Sequence, residues 1–454
     1  MGKYFGTDGF RGEVGVDLTA EHAFKAGRYL GSFLKRKRGC GEGKRARVVI
    51  GKDTRLSSYT LEYAMASGLA ASGADVYLLH VTTTPSVSYV TVREGFDLGV
   101  MITASHNPFY DNGIKIIDEQ GRKLPDEITR LIEEYLDKED DTLGFASGAE
   151  IGRICDHYAG RNGYVGWLIS QASGSYKGLK IGLDTANGAA FSIAVAVFSA
   201  LGAEIYPIHN EPNGLNVNYH CGSTHPEALA KAVKENALDF GFSFDGDADR
   251  CIAVDEGGRI IDGDGIMYIL AKRLKRIGKL NPPTIVATVM SNGGLIKSLA
   301  NDGIEVVTTR VGDRFVYEKM REGNIVLGGE ESGHIIMNDV STTGDGILTA
   351  IMLTEEILDT ELSLGKLCQG LSILPQSSRS VRVKDKDAAI NDNELCALKE
   401  RFLSDNIPKR RIIIRKSGTE QAIRIMAEAE SKNECDGIVE EIYSLLKERG
   451  YADV

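Results

Sequence analysis

The sequence lacks the features that mark several classes of protein. Proline is scarce, with 10 residues among 454, and the composition shows none of the biases of collagen, mucins or disordered chains. The longest weakly polar stretch, residues 189–203, contains two serines and is shorter than the roughly 20 apolar residues that span a bilayer. No apolar signal segment follows the N-terminus. We therefore expect a globular, cytoplasmic protein without a membrane partner.

An excess of positive charge is also absent. The chain has 53 basic and 64 acidic residues, a formal net charge of −11, whereas proteins that bind a phosphate backbone use an excess of positive charge. We interpret the basic cluster at residues 35–38 as a solvated surface loop. No nucleic-acid partner is expected.

The cysteines form no recognisable framework. They are widely spaced and include no C-x-x-C pair, which predicts reduced structural thiols rather than disulfides or a zinc site. The seven are Cys40, Cys155, Cys221, Cys251, Cys368, Cys396 and Cys435.

Short β-branched runs followed by helical patterns recur three times along the chain. This alternation predicts βαβ units and a mostly parallel sheet. The first block contains strands at 47–50, 75–79 and 98–103 and a helix at 59–72 that ends at Gly73. The second contains strands at 180–183, 204–208 and 239–244 and helices at 189–201 and 226–236. The third contains strands at 285–289, 304–308 and 325–327.

The C-terminal part follows a different pattern. Strands at 380–383, 411–415 and 422–428 and helices at 392–402 and 434–449 predict a smaller α+β unit. The expected fold class is therefore three similar α/β domains with mixed or parallel sheets, followed by a smaller α+β domain. Charge runs and glycine clusters place the domains at 1–150, 151–256, 257–372 and 373–454.

A polar loop with an exposed serine follows one of the predicted strands. Ligands of open α/β sheets bind beyond the carboxyl ends of the strands, so such loops are candidate sites. The loop Thr103–Pro108 carries Ser105 before a rigid Asn-Pro pair. The hydroxyl of Ser105 suits a nucleophile or a phosphate carrier, and an ordinary turn is the alternative. His106 is adjacent to Ser105 in sequence and gives no evidence of a hydrolase triad.

A second loop carries three carboxylates at a spacing of two residues: Asp245, Asp247 and Asp249. Carboxylates separated by small residues can converge on a hard cation such as Mg²⁺. An EF-hand calcium loop fits poorly, because Arg250 stands where that turn needs glycine. The sequence predicts a divalent-metal site here, and a solvated acidic turn is the alternative.

A third loop, Gly329–His334, also follows a predicted strand. Glu330 and Ser332 could bind sugar hydroxyls, and His334 could transfer a proton near neutral pH. The alternative is a structural histidine, which is the commoner role for a histidine in a loop.

The C-terminal part carries a candidate phosphate site. The segment Arg415–Glu420 with Arg424 combines cations, hydroxyls and a glycine, as binding of a phosphate monoester requires. No Walker A motif is present, and no G-x-G-x-x-G follows a strand. The chain's own serine is therefore a candidate phosphate donor.

Five motifs in this order and at these separations resemble the α-D-phosphohexomutase superfamily. They are GTDGFRG at 6–12, TASHNP at 103–108, DGDADR at 245–250, GEESGH at 329–334 and RKSGTE at 415–420. The resemblance covers essentially the whole chain. Within the superfamily, residues 107–115, 221–227 and 342–346 look like those of the bacterial phosphoglucosamine mutases.

The resemblance implies a heart-shaped protein of four domains with the active site in a central cleft. Ser105 would be the phosphoserine, and Mg²⁺ would bind Asp245, Asp247, Asp249 and a phosphate oxygen on Ser105. Either Lys115 or His334 would accept a proton. The other implied residues are Arg11, Arg250 and His106 in catalysis, Glu330 and Ser332 on the sugar, and Arg415, Ser417, Gly418, Thr419 and Arg424 on the phosphate that does not react.

The activity implied is that of an isomerase. It would interconvert glucosamine 6-phosphate and glucosamine 1-phosphate through a phosphoserine and a sugar 1,6-bisphosphate, and so supply amino-sugar and cell-wall precursors such as UDP-N-acetylglucosamine. The C-terminal domain would close over the sugar while the bisphosphate turns around. A homodimer and an activating kinase are further partners that relatives suggest.

Three positions depart from the phosphoglucosamine mutase pattern. Glu331 stands where glutamine is usual, and Lys416 and Gln421 stand where proline is common. A phosphomannomutase or phosphoglucomutase of the same superfamily therefore stays open from the sequence. A sugar-phosphate binding protein without catalysis is the remaining alternative.

Overall fold

The computed structural model describes residues 3–6, 9–38, 45–404, 410–417 and 421–452. These residues belong to two compact units, one formed by Met1–Val289 with Val307–Gln369 and the other by Met290–Val306 with Gly370–Val454. Within the described residues the strands form four sheets. The helices of this part of the chain include none that is both long enough and apolar enough to cross a membrane.

The first sheet is parallel from its centre to one edge and antiparallel toward the other edge. Its strands are β1 (Phe5–Gly6), β2 (Gly9–Glu13), β3 (Arg47–Lys52), β4 (Asp75–Val81), β5 (Leu98–Ile102), β6 (Asp111–Asp118) and β7 (Ile154–Asp156), and its helices are α1 (Ala20–Arg38), α2 (Leu56–Ala71), α3 (Thr84–Arg93) and α4 (Asp126–Leu136). The strand order is β1-β2-β6-β5-β3-β4-β7. Helices α1 and α2 cross so closely that a Cβ on Gly68 would lie 2.1 Å from the carbonyl oxygen of Phe24, and the crossing therefore requires glycine.

The second sheet repeats this plan on a smaller scale. Its strands β8 (Lys180–Asp184), β9 (Glu204–Ile208), β10 (Phe240–Phe244), β11 (Cys251–Val254) and β12 (Ile260–Ile261) lie in the order β12-β11-β10-β8-β9. Helices α5 (Tyr158–Ser170), α6 (Ala190–Ala200) and α7 (Glu227–Glu235) belong to this part of the chain. Strand β10 is buried along its whole length, which explains its run of aromatic and small residues.

The third sheet has the order β14-β13-β15-β16. Its part of the chain contains α8 (Gly263–Arg276), β13 (Thr284–Thr288), α9 (Gly293–Asn301), β14 (Glu305–Thr309), α10 (Asp313–Glu322), β15 (Leu327–Gly329), β16 (Ile335–Met337), α11 (Gly346–Thr360) and α12 (Leu364–Leu367). Helix α9 falls in the second compact unit.

The three sheets share one feature that positions the site. In each, a parallel strand is followed by a loop and then by an antiparallel strand: β5 to β6, β10 to β11 and β15 to β16. The loops are residues 103–110, 245–250 and 330–334. The expectation of mostly parallel sheets is thus incomplete, since antiparallel strands follow every candidate loop.

The second unit contains a three-stranded antiparallel sheet in the order β17-β19-β18, with β17 (Gln376–Arg382), β18 (Arg411–Lys416) and β19 (Ala422–Glu428). The helices of this part are α13 (Lys386–Ile390), α14 (Asn393–Ser404) and α15 (Lys432–Glu448). Ile425 on β19 and Ile442 on α15 belong to one buried core. Three mixed α/β layers and a smaller α+β unit confirm the predicted fold class.

Most predicted elements occur with shifted ends, and two strand predictions are wrong in position. The strand predicted at 325–327 lies at Leu327–Gly329, because pairing with β16 extends it into two glycines that the apolar pattern does not include. The strand predicted at 380–383 begins at Gln376, since four polar residues also pair with β19. The six described cysteines are free, and Cys40 lies outside the described residues. The domain boundaries stay a prediction.

Candidate active site

Ser105 points at the acidic loop of the second sheet. Its Oγ donates a hydrogen bond to Asp245 Oδ2 at 2.6 Å, although the two residues are 140 positions apart. The expectation of an exposed serine is wrong, because the acidic loop covers Ser105 and buries it. Its φ of 52° lies in the left-handed region, which is unusual for a residue other than glycine. The loop geometry thus directs the hydroxyl toward the carboxylates.

The three aspartates converge as the sequence predicts. Asp245, Asp247 and Asp249 are all buried, and they offer carboxylate oxygens within 4.8 Å of one another. Oδ1 of Asp247 and Oδ1 of Asp249 have no hydrogen-bond partner among the described residues. Buried carboxylate oxygens without partners are costly, and oxygen is the ligand type that hard divalent cations prefer. The triad therefore fits a divalent cation.

Charge within the triad is unevenly distributed. Lys115 Nζ lies 2.8 Å from Asp247 Oδ2 and 3.0 Å from Asp249 Oδ2. Burial would raise the pKa of Asp249, but Lys115 lowers that pKa well below its usual range. Burial and the charges of Asp249 and Asp247 together raise the pKa of Asp245. A bound cation would remove the repulsion that Asp245 experiences.

The other predicted cations lie near this triad to different degrees. Arg250 donates its backbone N–H to Asp245 Oδ1 at 3.2 Å. Arg11 is half-buried on β2 and pairs in register with Gly113 on β6, the strand that carries Lys115. His106 Nδ1 is 3.4 Å from Ser105 Oγ, so it faces the hydroxyl as well.

The third loop brings a buried histidine to the triad. His334 Nδ1 is 3.6 Å from Asp249 Oδ1, and its Nε2 accepts a hydrogen bond from the N–H of Gly344 at 3.1 Å. Burial would lower the pKa of His334, but Asp249 and Asp313 raise it to about 9. These observations compete, because a protonated Nε2 cannot accept a hydrogen bond. A neutral ring would carry its proton on Nδ1, facing Asp249, whereas the carboxylates of Asp249 and of Asp313, whose Oδ2 lies 3.6 Å from Nε2, favour the charged ring.

The predicted sugar-binding side chains lie on the same loop. Glu330 Oε1 accepts a hydrogen bond from the N–H of Gly312 at 2.9 Å, which orients the carboxylate. Ser332 Oγ is buried and has no hydrogen-bond partner among the described residues. A polar group of this kind is available for a ligand hydroxyl.

The phosphate-binding residues predicted in the C-terminal part belong to the second unit. Arg415 and Arg424 lie directly opposite each other on β18 and β19. The N–H of Ser417 donates to the carbonyl of Ala422 at 2.8 Å. Two guanidinium groups in this position favour an anion. Gly418 and Thr419 lie outside the described residues.

Sequence analysis missed a group of residues that contact the site loops. Thr84 Oγ1 donates to Asp247 Oδ2, and Asp53 Oδ2 accepts from Thr103 Oγ1 at 2.8 Å. Arg55 and Asn218 donate to backbone carbonyls of the serine loop. Asp53 and Arg55 directly follow strand β3, so the rule that located the other loops could have found them.

A cavity of about 300 Å³ lies between the β6 hairpin and helix α10. Of the candidate residues, Lys115 and Asp249 line it, whereas Ser105, Glu330 and Ser332 do not. This cavity therefore borders the acidic triad without including the serine or the sugar loop.

Family models match four consecutive parts of the chain. The α/β/α domains I, II and III of phosphoglucomutase/phosphomannomutase match residues 2–143, 163–258 and 262–372, and the C-terminal domain matches residues 381–445. A phosphoglucosamine mutase of Lachnoclostridium phytofermentans is 50% identical over 451 residues, covering 99% of each chain.

Solved structures share the fold. A phosphoglucomutase/phosphomannomutase family protein of Burkholderia thailandensis matches with a TM-score of 0.80 and 26% identity, covering 99% of this chain and 98% of that one. The N-acetylphosphoglucosamine mutase of Aspergillus fumigatus, solved with GlcNAc-6P and magnesium, matches with a TM-score of 0.70 and 18% identity, covering 98% and 95%. From its motifs, its convergent loops and its full-length relatives, the chain belongs to the phosphoglucosamine mutases of the phosphohexomutase superfamily.

Proposed function

We propose that the protein interconverts glucosamine 6-phosphate and glucosamine 1-phosphate through a phosphorylated Ser105. The observation that carries this mechanism is the 2.6 Å hydrogen bond from Ser105 Oγ to Asp245, a member of the buried acidic triad. Phosphoryl transfer depends mainly on positioning and on charge neutralisation. A serine held beside carboxylates that fit a cation meets both needs.

Mg²⁺ is the cation that we propose for the triad. Asp245, Asp247 and Asp249 would hold it together with a phosphate oxygen on Ser105. When bound, it would neutralise negative charge on the phosphoryl group. The presence of magnesium with a sugar phosphate in the Aspergillus fumigatus enzyme supports this choice.

The reaction consists of two transfers. First, the free hydroxyl of glucosamine 6-phosphate attacks phosphorus, the bond to Ser105 Oγ breaks, and a 1,6-bisphosphate forms. The bisphosphate then presents its other phosphate, and Ser105 Oγ takes that group back. His106 Nδ1 lies 3.4 Å from Ser105 Oγ and can hold its proton, whereas Asp245 would be deprotonated as a ligand of the cation.

The remaining roles follow from charge and contacts. Lys115 lies between the carboxylates of Asp247 and Asp249 and would stabilise charge near the transferring group with Arg11 and Arg250. Lys115 and His334 are the two proposed acceptors for the proton of the sugar hydroxyl, and His334 could take it only on Nε2, in place of the hydrogen bond from Gly344. The sugar would bind Glu330 and Ser332, and the phosphate that does not react would bind Arg415, Ser417, Gly418, Thr419 and Arg424. The homodimer, the activating kinase and the cytoplasmic location stay predictions.

A substrate panel tests this function. The purified protein is assayed with Mg²⁺ and a trace of glucose 1,6-bisphosphate on glucosamine, glucose and mannose 6-phosphates. We expect the highest kcat/KM for glucosamine 6-phosphate. Ser105→Ala should lose turnover, keep its melting temperature and lack the added phosphate in an intact-mass spectrum. Turnover by Ser105→Ala would exclude the phosphoserine, and a preference for glucose or mannose would indicate a related mutase instead.

A further inference from the structure

The backbone of Ser105 adopts a conformation that needs support. With φ at 52° it lies in the left-handed region, which is unfavourable for a residue with a Cβ. In this conformation Oγ reaches Asp245 Oδ2. Released from its surroundings, the residue would relax to negative φ, and the hydroxyl would turn away from the triad.

A buried arginine binds the carbonyls of the serine loop. The side chain of Arg55 is fully buried, and its Nη2 donates to the carbonyl oxygens of Ser105 and Asn107, both at 2.9 Å. Its Nη1 donates to the carbonyls of Pro108 and of Asp111, the latter at 3.0 Å. One guanidinium thus binds four carbonyl oxygens of a short loop.

The same arginine is anchored to a carboxylate that also orders the loop. Asp53 Oδ2 accepts from Arg55 Nε at 2.7 Å and from Thr103 Oγ1 at 2.8 Å. Thr103 Oγ1 in turn accepts from the N–H of Ser105 at 2.9 Å. Both the amide N–H and the carbonyl of Ser105 are therefore held by one buried network.

A residue from the second sheet's part of the chain completes this arrangement. Asn218 Nδ2 donates to the carbonyl oxygens of Ser105 at 2.7 Å and of Asn107 at 3.0 Å. The metal loop also approaches this carbonyl, because a Cβ on Gly246 would lie 2.5 Å from the oxygen of Ser105. The carbonyl of Ser105 is held between the two loops whose side chains must meet.

We propose that Arg55 and Asn218 are positioning residues for phosphoryl transfer, which hold the Ser105 carbonyl so that Oγ faces the acidic triad. The inference rests on the proposed function and adds residues that touch no reacting atom. A misplacement of about 1 Å can reduce a rate about 100-fold. Lysine keeps the charge of Arg55 but cannot copy its planar fork, so it cannot bind four carbonyls at once.

The test compares Arg55→Lys with Arg28→Lys. Arg28 is a matched control, because it is also fully buried and its guanidinium also binds a carboxylate and backbone carbonyls. Its Nε donates to Asp141 at 2.9 Å, its Nη1 to the carbonyl of Ala71 at 3.1 Å and to Ser72 Oγ at 2.7 Å, and its Nη2 to the carbonyl of Gly144 at 2.7 Å. None of these partners belongs to the serine loop. Each variant is assayed for melting temperature, for kcat and KM, and for the rate at which glucose 1,6-bisphosphate phosphorylates Ser105, followed by intact mass.

Both substitutions should lower the melting temperature. Only Arg55→Lys should lower kcat and the phosphorylation rate, by about 10- to 100-fold, with KM changed by less than about threefold. Equal kcat in the two variants would overturn the inference, whether both stay active or both lose activity to the same extent. If Ser105 of the wild-type protein is not phosphorylated at all, the proposed function itself fails. Failure of the proposed function is thus distinguishable from failure of the positioning role alone.

A second variant covers the case in which Arg55→Lys does not fold. Asn218→Asp keeps the size of the side chain and replaces the amide donor by an oxygen facing two carbonyls. It should slow phosphorylation of Ser105 about tenfold with unchanged KM. If Ser105 of Asn218→Asp is phosphorylated at the wild-type rate, the positioning role of Asn218 is contradicted.

Discussion

Replacing Asp245 by asparagine should stabilise the protein without metal and abolish its response to Mg²⁺. Two unit charges about 4.8 Å apart repel by about 3.5 kcal/mol at an effective dielectric constant of 20. The oxygens of Asp245 lie within this distance of both Asp247 and Asp249, and Lys115 compensates for only one of those two charges. Asparagine removes the remaining repulsion, and both contacts can be kept if its oxygen accepts from the N–H of Arg250 and its Nδ2 donates to Ser105 Oγ. The substitution also loses the attraction between Asp245 and Arg250, so we expect the free energy of unfolding to rise by about 2 kcal/mol.

The assay is denaturant unfolding with EDTA and with Mg²⁺. A ligand at 100 times its Kd stabilises the folded state by about 2.7 kcal/mol. The wild-type protein should gain about this amount at such a concentration, whereas Asp245→Asn should gain little. Activity should be lost, because the variant lacks one of the three carboxylates that neutralise and hold the cation.

Asp255→Asn is the matched control. Asp255 is also buried and directly follows strand β11 of the same sheet, but it is paired with Arg259 at 3.0 Å. Its replacement should lower stability in EDTA and keep the response to Mg²⁺. If Asp245→Asn is less stable than wild type in EDTA, or still responds to Mg²⁺, the argument from carboxylate repulsion and metal binding is refuted.

Two further substitutions test packing around the site. The side chains of Lys52 and Glu62 are 1% and 0% exposed and form an ion pair. Glu62→Gln should therefore lower the free energy of unfolding, measured in urea, by about 3 kcal/mol, and the double variant Lys52→Met with Glu62→Leu should recover most of that loss. Equal free energies of unfolding for the wild type and Glu62→Gln would contradict this. A Cβ on Gly344 would lie 2.6 Å from the ring of His334, so Gly344→Ala should displace that ring. We expect kcat in the mutase assay to fall about tenfold or more. An unchanged kcat would show that His334 takes no part in proton transfer.

Much of the fold is predictable because each element carries a local pattern. Strand β9 lies at the predicted residues 204–208, and β19 at 422–428, since both are compact apolar or alternating runs. Strand β6 has no such pattern at its start, where Asp-Asn-Gly is typical of a turn. Its pairing with β5 and β2 overrides the local preference. Antiparallel strands that follow the site loops were therefore the hardest elements to predict.

The candidate site, like the fold, is predictable only where the sequence carries a local pattern. Ser105 and the three aspartates stand out because they follow apolar strands, and the strand ends bring them together. Arg55 also follows an apolar strand, β3, but nothing in its sequence context shows which groups its guanidinium will bind. Its guanidinium binds backbone carbonyl oxygens of a loop 50 residues away. Every residue has a backbone carbonyl, so the sequence does not show which ones an arginine will bind. Their arrangement exists only after folding.

The equivalent placement of the three loops has a consequence for changing the enzyme's selectivity. Each loop joins its own pair of strands, so residues 330–332 can be exchanged while Gly333 keeps its hydrogen bond with Cys251 and His334 its place beside Asp249. The side chains proposed to bind the sugar hydroxyls can thus be varied apart from those proposed to move protons and phosphate. A graft of three residues from a relative that prefers another hexose is a compact starting point for redesign.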